Sequence, residues 1–175
     1  MSADYVTNYI YDDEPKTNNG ITGEVPLYWD LFKTKIYKIK NYKDGILHGP
    51  YTAWYDNGNK YMEMNFVEGK IEVEYKEWNE DWSVSGRVDF KDGVINGLCT
   101  RYFFDGSGFM CMYKDDIRDG EYKEFDKNGV LIEHGFYENG KLDGPYKKLT
   151  KRGNYMTLYY KEGVRVKSTE RKGRK

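Results

Sequence analysis

Met62, Met64 and Phe66 alternate with Glu63 and Asn65, so an extended segment there has one apolar face and one wet face. Phe109, Cys111 and Tyr113 repeat the pattern, as do Met156, Leu158 and Tyr160. Turn signals bound these segments in two sets. One set is Asp56-Asn57-Gly58, Asp105-Gly106-Ser107-Gly108 and Lys127-Asn128-Gly129; the other is Lys43-Asp44-Gly45, Lys91-Asp92-Gly93 and Glu138-Asn139-Gly140. Asn-Gly and Asp-Gly supply the positive φ values that tight hairpin turns need. Between the turns lie runs of about six to eight residues, the length of a strand rather than a helix. The pattern predicts an all-β chain, a single-layer antiparallel meander of stacked hairpins.

The hairpins recur with a period. Tyr42, Phe66, Phe90, Tyr113, Tyr137 and Tyr160 are separated by 24, 24, 23, 24 and 23 residues, a spacing that marks a repeat architecture. Three positions after each ring stands Gly45, Gly69, Gly93, Gly140 or Gly163, with Asp116 in the fourth repeat. Seven positions after it stands Gly49, Gly97, Gly120 or Gly144, with Val73 the exception; sixteen after it stands Gly58, Gly106, Gly129 or Gly153, with Trp82 the exception. Offset nine holds Tyr51, Tyr75, Cys99, Tyr122 and Tyr146, and offset twelve holds Trp54, Trp78, Tyr102, Phe125 and Leu149. Nine and twelve differ by three, which puts these rings on opposite faces of an ideal strand. Either a bulge re-aims one of them or both faces carry rings.

An aromatic, two residues, Gly, three residues, Gly and a Tyr two further on resembles the MORN repeat. Gly49-Pro50-Tyr51 through Asp56-Asn57-Gly58, and Glu138-Asn139-Gly140-Lys141 through Gly144-Pro145-Tyr146, resemble its variant form, which is similar to bacterial antitoxins of the YwqK type. The resemblance covers roughly residues 42–166. It implies stacked hairpins and leaves the function open, because arrays of this kind serve unrelated systems.

The expected organisation is a tail or extra strand over 1–23, a capping unit over 24–41, the repeat array over 42–166 and a basic disordered tail over 167–175. In the cap, Tyr28 and Leu31 match offsets nine and twelve of a degenerate repeat, and Ile36, Tyr37 and Ile39 continue as a strand. A mean hydropathy of -0.91 with 33% charged residues is polar for a folded chain, yet 17% aromatics argue for an ordered array. A net charge of -1 gives no global field toward nucleic acid or membrane. With neither an apolar run of membrane-spanning length nor an apolar signal core, the expectation is a cytoplasmic protein, membrane-associated only if it binds lipid. Cys99 and Cys111 fall about three positions out of opposition in one predicted hairpin, which favours two buried thiols over a bridge.

Little of the sequence reads as catalytic. His48 and His134 share neither a motif nor a phase, so no metal pair is expected, and no nucleophile elbow or phosphate loop is present. Most carboxylates sit beside turn glycines, where solvated turn chemistry accounts for them. The expectation is a protein without catalytic residues, cofactor or small-molecule substrate. The second repeat breaks the pattern: it replaces two glycines with Val73 and Trp82, and its tip reads Asn79-Glu80-Asp81-Trp82-Ser83. A large aromatic at a turn position has the character of an interface anchor; the structural alternative is a re-formed loop with Trp82 tucked over the neighbouring hairpin. Trp78, in phase with Trp54 and Tyr102, reads first as packing.

Three functions compete. The first is a protein-binding scaffold, sharpened by the resemblance toward an antitoxin or immunity protein, with Trp82, Trp78 and Tyr75 as partner-binding residues. The second is peripheral binding of anionic lipid through Arg165, Lys167, Arg171, Lys172, Arg174 and Lys175. The third is a spacer or an oligomeric building block joined through its end strands.

Overall fold

The computed structural model describes residues 19–166. Those residues form fifteen strands and no helix, in one antiparallel sheet whose strand order follows the chain. The strands are β1 (Gly23–Tyr28), β2 (Ile36–Lys43), β3 (Ile46–Leu47), β4 (Gly49–Trp54), β5 (Lys60–Val67), β6 (Lys70–Trp78), β7 (Val84–Lys91) and β8 (Val94–Tyr102). They continue as β9 (Gly108–Lys114), β10 (Ile117–Phe125), β11 (Leu131–Glu138), β12 (Lys141–Leu142), β13 (Gly144–Leu149), β14 (Tyr155–Lys161) and β15 (Val164–Val166). By compactness the chain divides into two units, residues 1–99 and 100–175. The expected meander of hairpins is the observed fold. Of the segment expected as a tail or extra strand over 1–23, residues 1–18 lie outside the described residues and Gly23 begins β1; the tail expected over 167–175 lies outside them altogether.

Two kinds of turn alternate. At one end of the strands sit two-residue turns with both residues left-handed, such as Asp44 and Gly45 (φ 50° and 80°) or Asn139 and Gly140 (φ 48° and 79°). This is the type I′ geometry, whose twist matches that of the flanking strands. The backbone N–H of the first turn residue is bonded by a side chain one repeat earlier. Thr22 Oγ1 accepts from Asp44, Glu72 Oε1 from Asp92, Asp119 Oδ2 from Asn139 and Asp143 Oδ2 from Glu162. His48 fills the same role with Nδ1 accepting from Glu68 at 3.4 Å, so its place in the sequence is structural.

At the other end the loops close through a pair of backbone bonds. Tyr55 N donates to Asn59 O at 2.8 Å and Gly58 N to Tyr55 O at 3.0 Å, with Gly58 left-handed at φ 86°. The loops at 103–107, 126–130 and 150–154 repeat the pair. This is a type I turn followed by a left-handed residue.

In the first unit one sheet face holds the core. Tyr42, Tyr51, Met62, Met64, Phe66, Ile71, Tyr75, Val88 and Phe90 are buried, and Lys40 and Glu77 are buried with them. The Tyr75 hydroxyl donates to Glu77 at 2.9 Å, which keeps that carboxylate hydrogen-bonded away from water. Trp54 and Trp78 are half-exposed while Tyr51 and Tyr75 are buried, so both faces carry rings. A bulge is present as well, in the partner strand rather than beside the ring. Pairing passes from Ala53↔Met62 to Trp54↔Lys60 and from Glu77↔Gly86 to Trp78↔Val84, leaving Tyr61 and Ser85 as the extra residues. Residues 24–41, expected as a cap, fall on β1, the loop after it and β2, and Leu31 stands fully exposed in that loop rather than on a strand.

The second unit buries Cys111, Tyr113 and Leu158. Its Tyr122 and Tyr146 hydroxyls donate to Glu124 and Glu133, residues that face each other across β10 and β11. Burial, then the adjacent carboxylate, pushes both phenols well above their ordinary range. Tyr146 lies against Gly135, where an added Cβ would approach its ring to 2.6 Å. Cys99 and Cys111 are both buried free thiols.

Candidate functional site

The loop 79–83 is the point where sequence pattern and structure part company. Asn79 N donates to Ser83 O at 2.8 Å and Trp82 N to Asn79 O at 3.0 Å, the same pair of bonds that closes the glycine loops. The loop is therefore not re-formed. Trp82 occupies the glycine slot itself, at φ 68°, and remains 57% exposed rather than tucked away. An L-residue in that region suffers a Cβ clash costing about 1–2 kcal/mol.

An internal control sits one repeat later. Asp105-Gly106-Ser107 and Asp81-Trp82-Ser83 differ only at the left-handed position. In both, the serine N–H and Oγ donate to the aspartate Oδ1, at 2.9 and 2.5 Å around Asp81 and at 3.0 and 2.6 Å around Asp105. These bonds hold both carboxyls below their ordinary range, the serine hydroxyl contributing most. Asn79 Nδ2 adds a bond to Ser83 Oγ at 2.9 Å. Polar side chains thus hold the strained loop in shape around an outward tryptophan.

The neighbouring loops are tied to it. Asn59 Nδ2 donates to Glu80 O at 2.5 Å, and Lys35 Nζ meets Asp56 Oδ1 at 2.6 Å. Loops 29–35, 55–59 and 79–83 therefore form one bonded rim in the first unit. Sequence reasoning missed the first of these loops. It exposes Trp29, Leu31 (99%) and Phe32 (89%), while Asp30 accepts from Thr34 N, Thr34 Oγ1 and Lys35 N to fix its shape. The available signal was three large apolar residues, Trp29, Leu31 and Phe32, within one short loop.

The three residues expected to bind a partner are placed differently. Trp82 lies on the rim. Trp78 ends β6 directly before that loop, half-buried, with Lys60 Nζ 5.3 Å from its ring centroid and its carbonyl accepting from the Tyr55 hydroxyl at 2.8 Å. Tyr75 is buried on the core face. Ser85, at the bulge just after the loop, is buried, with no hydrogen-bond partner for its hydroxyl among the described residues. Val73, the other broken glycine, is left-handed at φ 75° and 71% exposed. Of the residues expected to bind lipid, Arg165 is exposed on β15, and Lys167, Arg171, Lys172, Arg174 and Lys175 lie outside the described residues.

Among the described residues no group of three His, Cys, Asp or Glu is placed to hold a metal. His134 Nε2 lies within hydrogen-bond distance of Glu121 Oε1 at 3.0 Å, and the same carboxylate pairs with Lys123 at 2.8 Å.

Set against known proteins, the chain matches no family model, and no curated protein is similar to it.

Proposed function

We propose that this protein is a non-enzymatic binding scaffold whose first unit offers the rim formed by loops 29–35, 55–59 and 79–83 to a protein partner. One observation carries the reading: Trp82 stands exposed in a left-handed glycine slot of an otherwise unchanged loop. The position carries about 1–2 kcal/mol of backbone strain that a glycine would not, while more than half of the ring stays in solvent, and an exposed ring kept at a strained position points to a role outside the fold. Trp29, Leu31 and Phe32 widen the rim into the aromatic and aliphatic surface that buried interface centres use. The resemblance to variant MORN antitoxins makes a toxin the first partner to seek, and a toxin gene beside this one would support it.

The test is Trp82→Gly, which relieves the strain while removing the ring. Glycine releases about 1–2 kcal/mol of strain but forfeits the buried part of the ring and adds unfolded-state entropy. The variant should therefore fold with a stability within about 2 kcal/mol of the parent, while stoichiometric capture of the partner from the native source should be lost. If the folded variant still captures that partner, the rim reading is wrong. A peripheral-membrane reading is favoured by Leu31 and Phe32 at a loop tip beside Lys33 and Lys35. It requires sedimentation with anionic vesicles at low salt that is lost in Leu31→Ser/Phe32→Ser.

A further inference from the structure

The net charge of -1 hides an uneven distribution. Residues 144–166 carry six basic side chains, Lys147, Lys148, Lys151, Arg152, Lys161 and Arg165, against the single acid Glu162. Lys148 is committed to Glu133 at 2.5 Å and Lys161 to Asp143 at 3.0 Å. Lys147, Lys151, Arg152 and Arg165 make no ion pair with the described residues.

The strand register sets these cations beside open rings. Tyr159 pairs with Pro145, Thr157 with Lys147 and Tyr155 with Leu149. Residues two apart share a face, so Tyr155, Thr157 and Tyr159 line one side of β14, and Lys147 stands across from Thr157 between the two rings. Tyr155 is 50% and Tyr159 47% exposed. The Tyr155 hydroxyl donates to the Leu131 carbonyl at 2.6 Å, which fixes that ring in place. Beyond Lys147 lies His134 on β11, whose ring centroid is 5.3 Å from that of Phe136.

We propose that this face of β11, β13 and β14 binds single-stranded nucleic acid. Tyr155 and Tyr159 stack bases, Lys147 meets the phosphate between them, and Lys151 and Arg152 in the adjoining loop extend the cationic track. Planar rings on a sheet surface with a cation between them suit stacked bases joined by phosphates, because every base has a π-face. A bilayer would use the charge but has no need of rings set at a fixed spacing along a strand. This surface is built from residues other than those of the Trp82 rim and does not rest on that reading.

The test is fluorescence anisotropy of the full chain with labelled oligouridylate and oligothymidylate. An abasic oligomer of equal charge and phosphatidylserine vesicles serve as controls. Tyr159→Leu keeps an apolar side chain at a half-exposed site, so the fold is preserved, and affinity should fall about tenfold. Tyr159→Trp should restore binding. Lys147→Ala should reduce the slope of log affinity against log salt by about 0.7. The proposal is overturned if the abasic oligomer binds as tightly as the base-bearing ones, if Tyr159→Leu changes nothing, or if only vesicles bind.

Discussion

Replacing Val73 with glycine should make this protein more stable, although it deletes an apolar side chain. Val73 sits at φ 75° where the other repeats have Gly49, Gly97, Gly120 and Gly144, all left-handed. A β-branched residue is the least suited to that region, and holding a residue there costs roughly 1–3 kcal/mol. Against this, glycine adds about 0.5–1 kcal/mol of unfolded-state entropy to be lost. At 71% exposure the valine buries under a third of its surface, a packing loss of about 0.5 kcal/mol or less. The difference is a net gain of about 1 kcal/mol. With a urea m-value of about 2 kcal/mol/M the unfolding midpoint should rise by about 0.5 M, with the slope unchanged. The reverse exchange, Gly97→Val, should be far costlier, because a Cβ there comes within 2.8 Å of Asp89 Cβ. A midpoint that falls in Val73→Gly would refute the argument, showing that the valine's contacts outweigh its backbone strain.

Two further outcomes follow from the first unit. Burial, followed by the neighbouring Tyr37, pushes the Tyr51 hydroxyl up to about 12 from 10.0. Its contribution is then full below pH 10 and lost as pH rises toward 12, up to about 3 kcal/mol; Tyr51→Phe should flatten the fall in urea midpoint over that range, and an unchanged fall would count against it. His48→Asp puts at this turn the carboxylate that Asp119 and Asp143 use at theirs. Replacing a 3.4 Å imidazole contact with a charge-assisted bond should add about 0.5–1 kcal/mol in thermal unfolding; a loss would mean that repulsion from Glu68 prevails.

Trp82 shows how far the candidate site could be read from the chain. Its break with the period was visible, but whether the loop had re-formed around it was not, since either outcome satisfies the same residues. The bond pair from Asn79 decides that, and the exposure of the ring makes it an anchor candidate. Leu31 was expected to follow a strand offset, and instead the Asp30 side chain, by accepting from Thr34 and Lys35, holds it in a loop. The basic surface of the last hairpin escaped composition altogether, because acids elsewhere cancel it in the sum.

The sequence alone determined the hairpins, their phase and their turns. Turn geometry depends on two or three adjacent residues, and Asn-Gly or Asp-Gly states its backbone conformation locally. Tertiary structure decided what depends on neighbours distant in the chain. It selected the buried face that takes Tyr51 and leaves Trp54 half-open, the bulges at Tyr61 and Ser85 that set pairing beside the loops, and the bonds that join three loops into one rim. Register arises from pairing between strands, and no single strand contains the information that fixes its partner's offset.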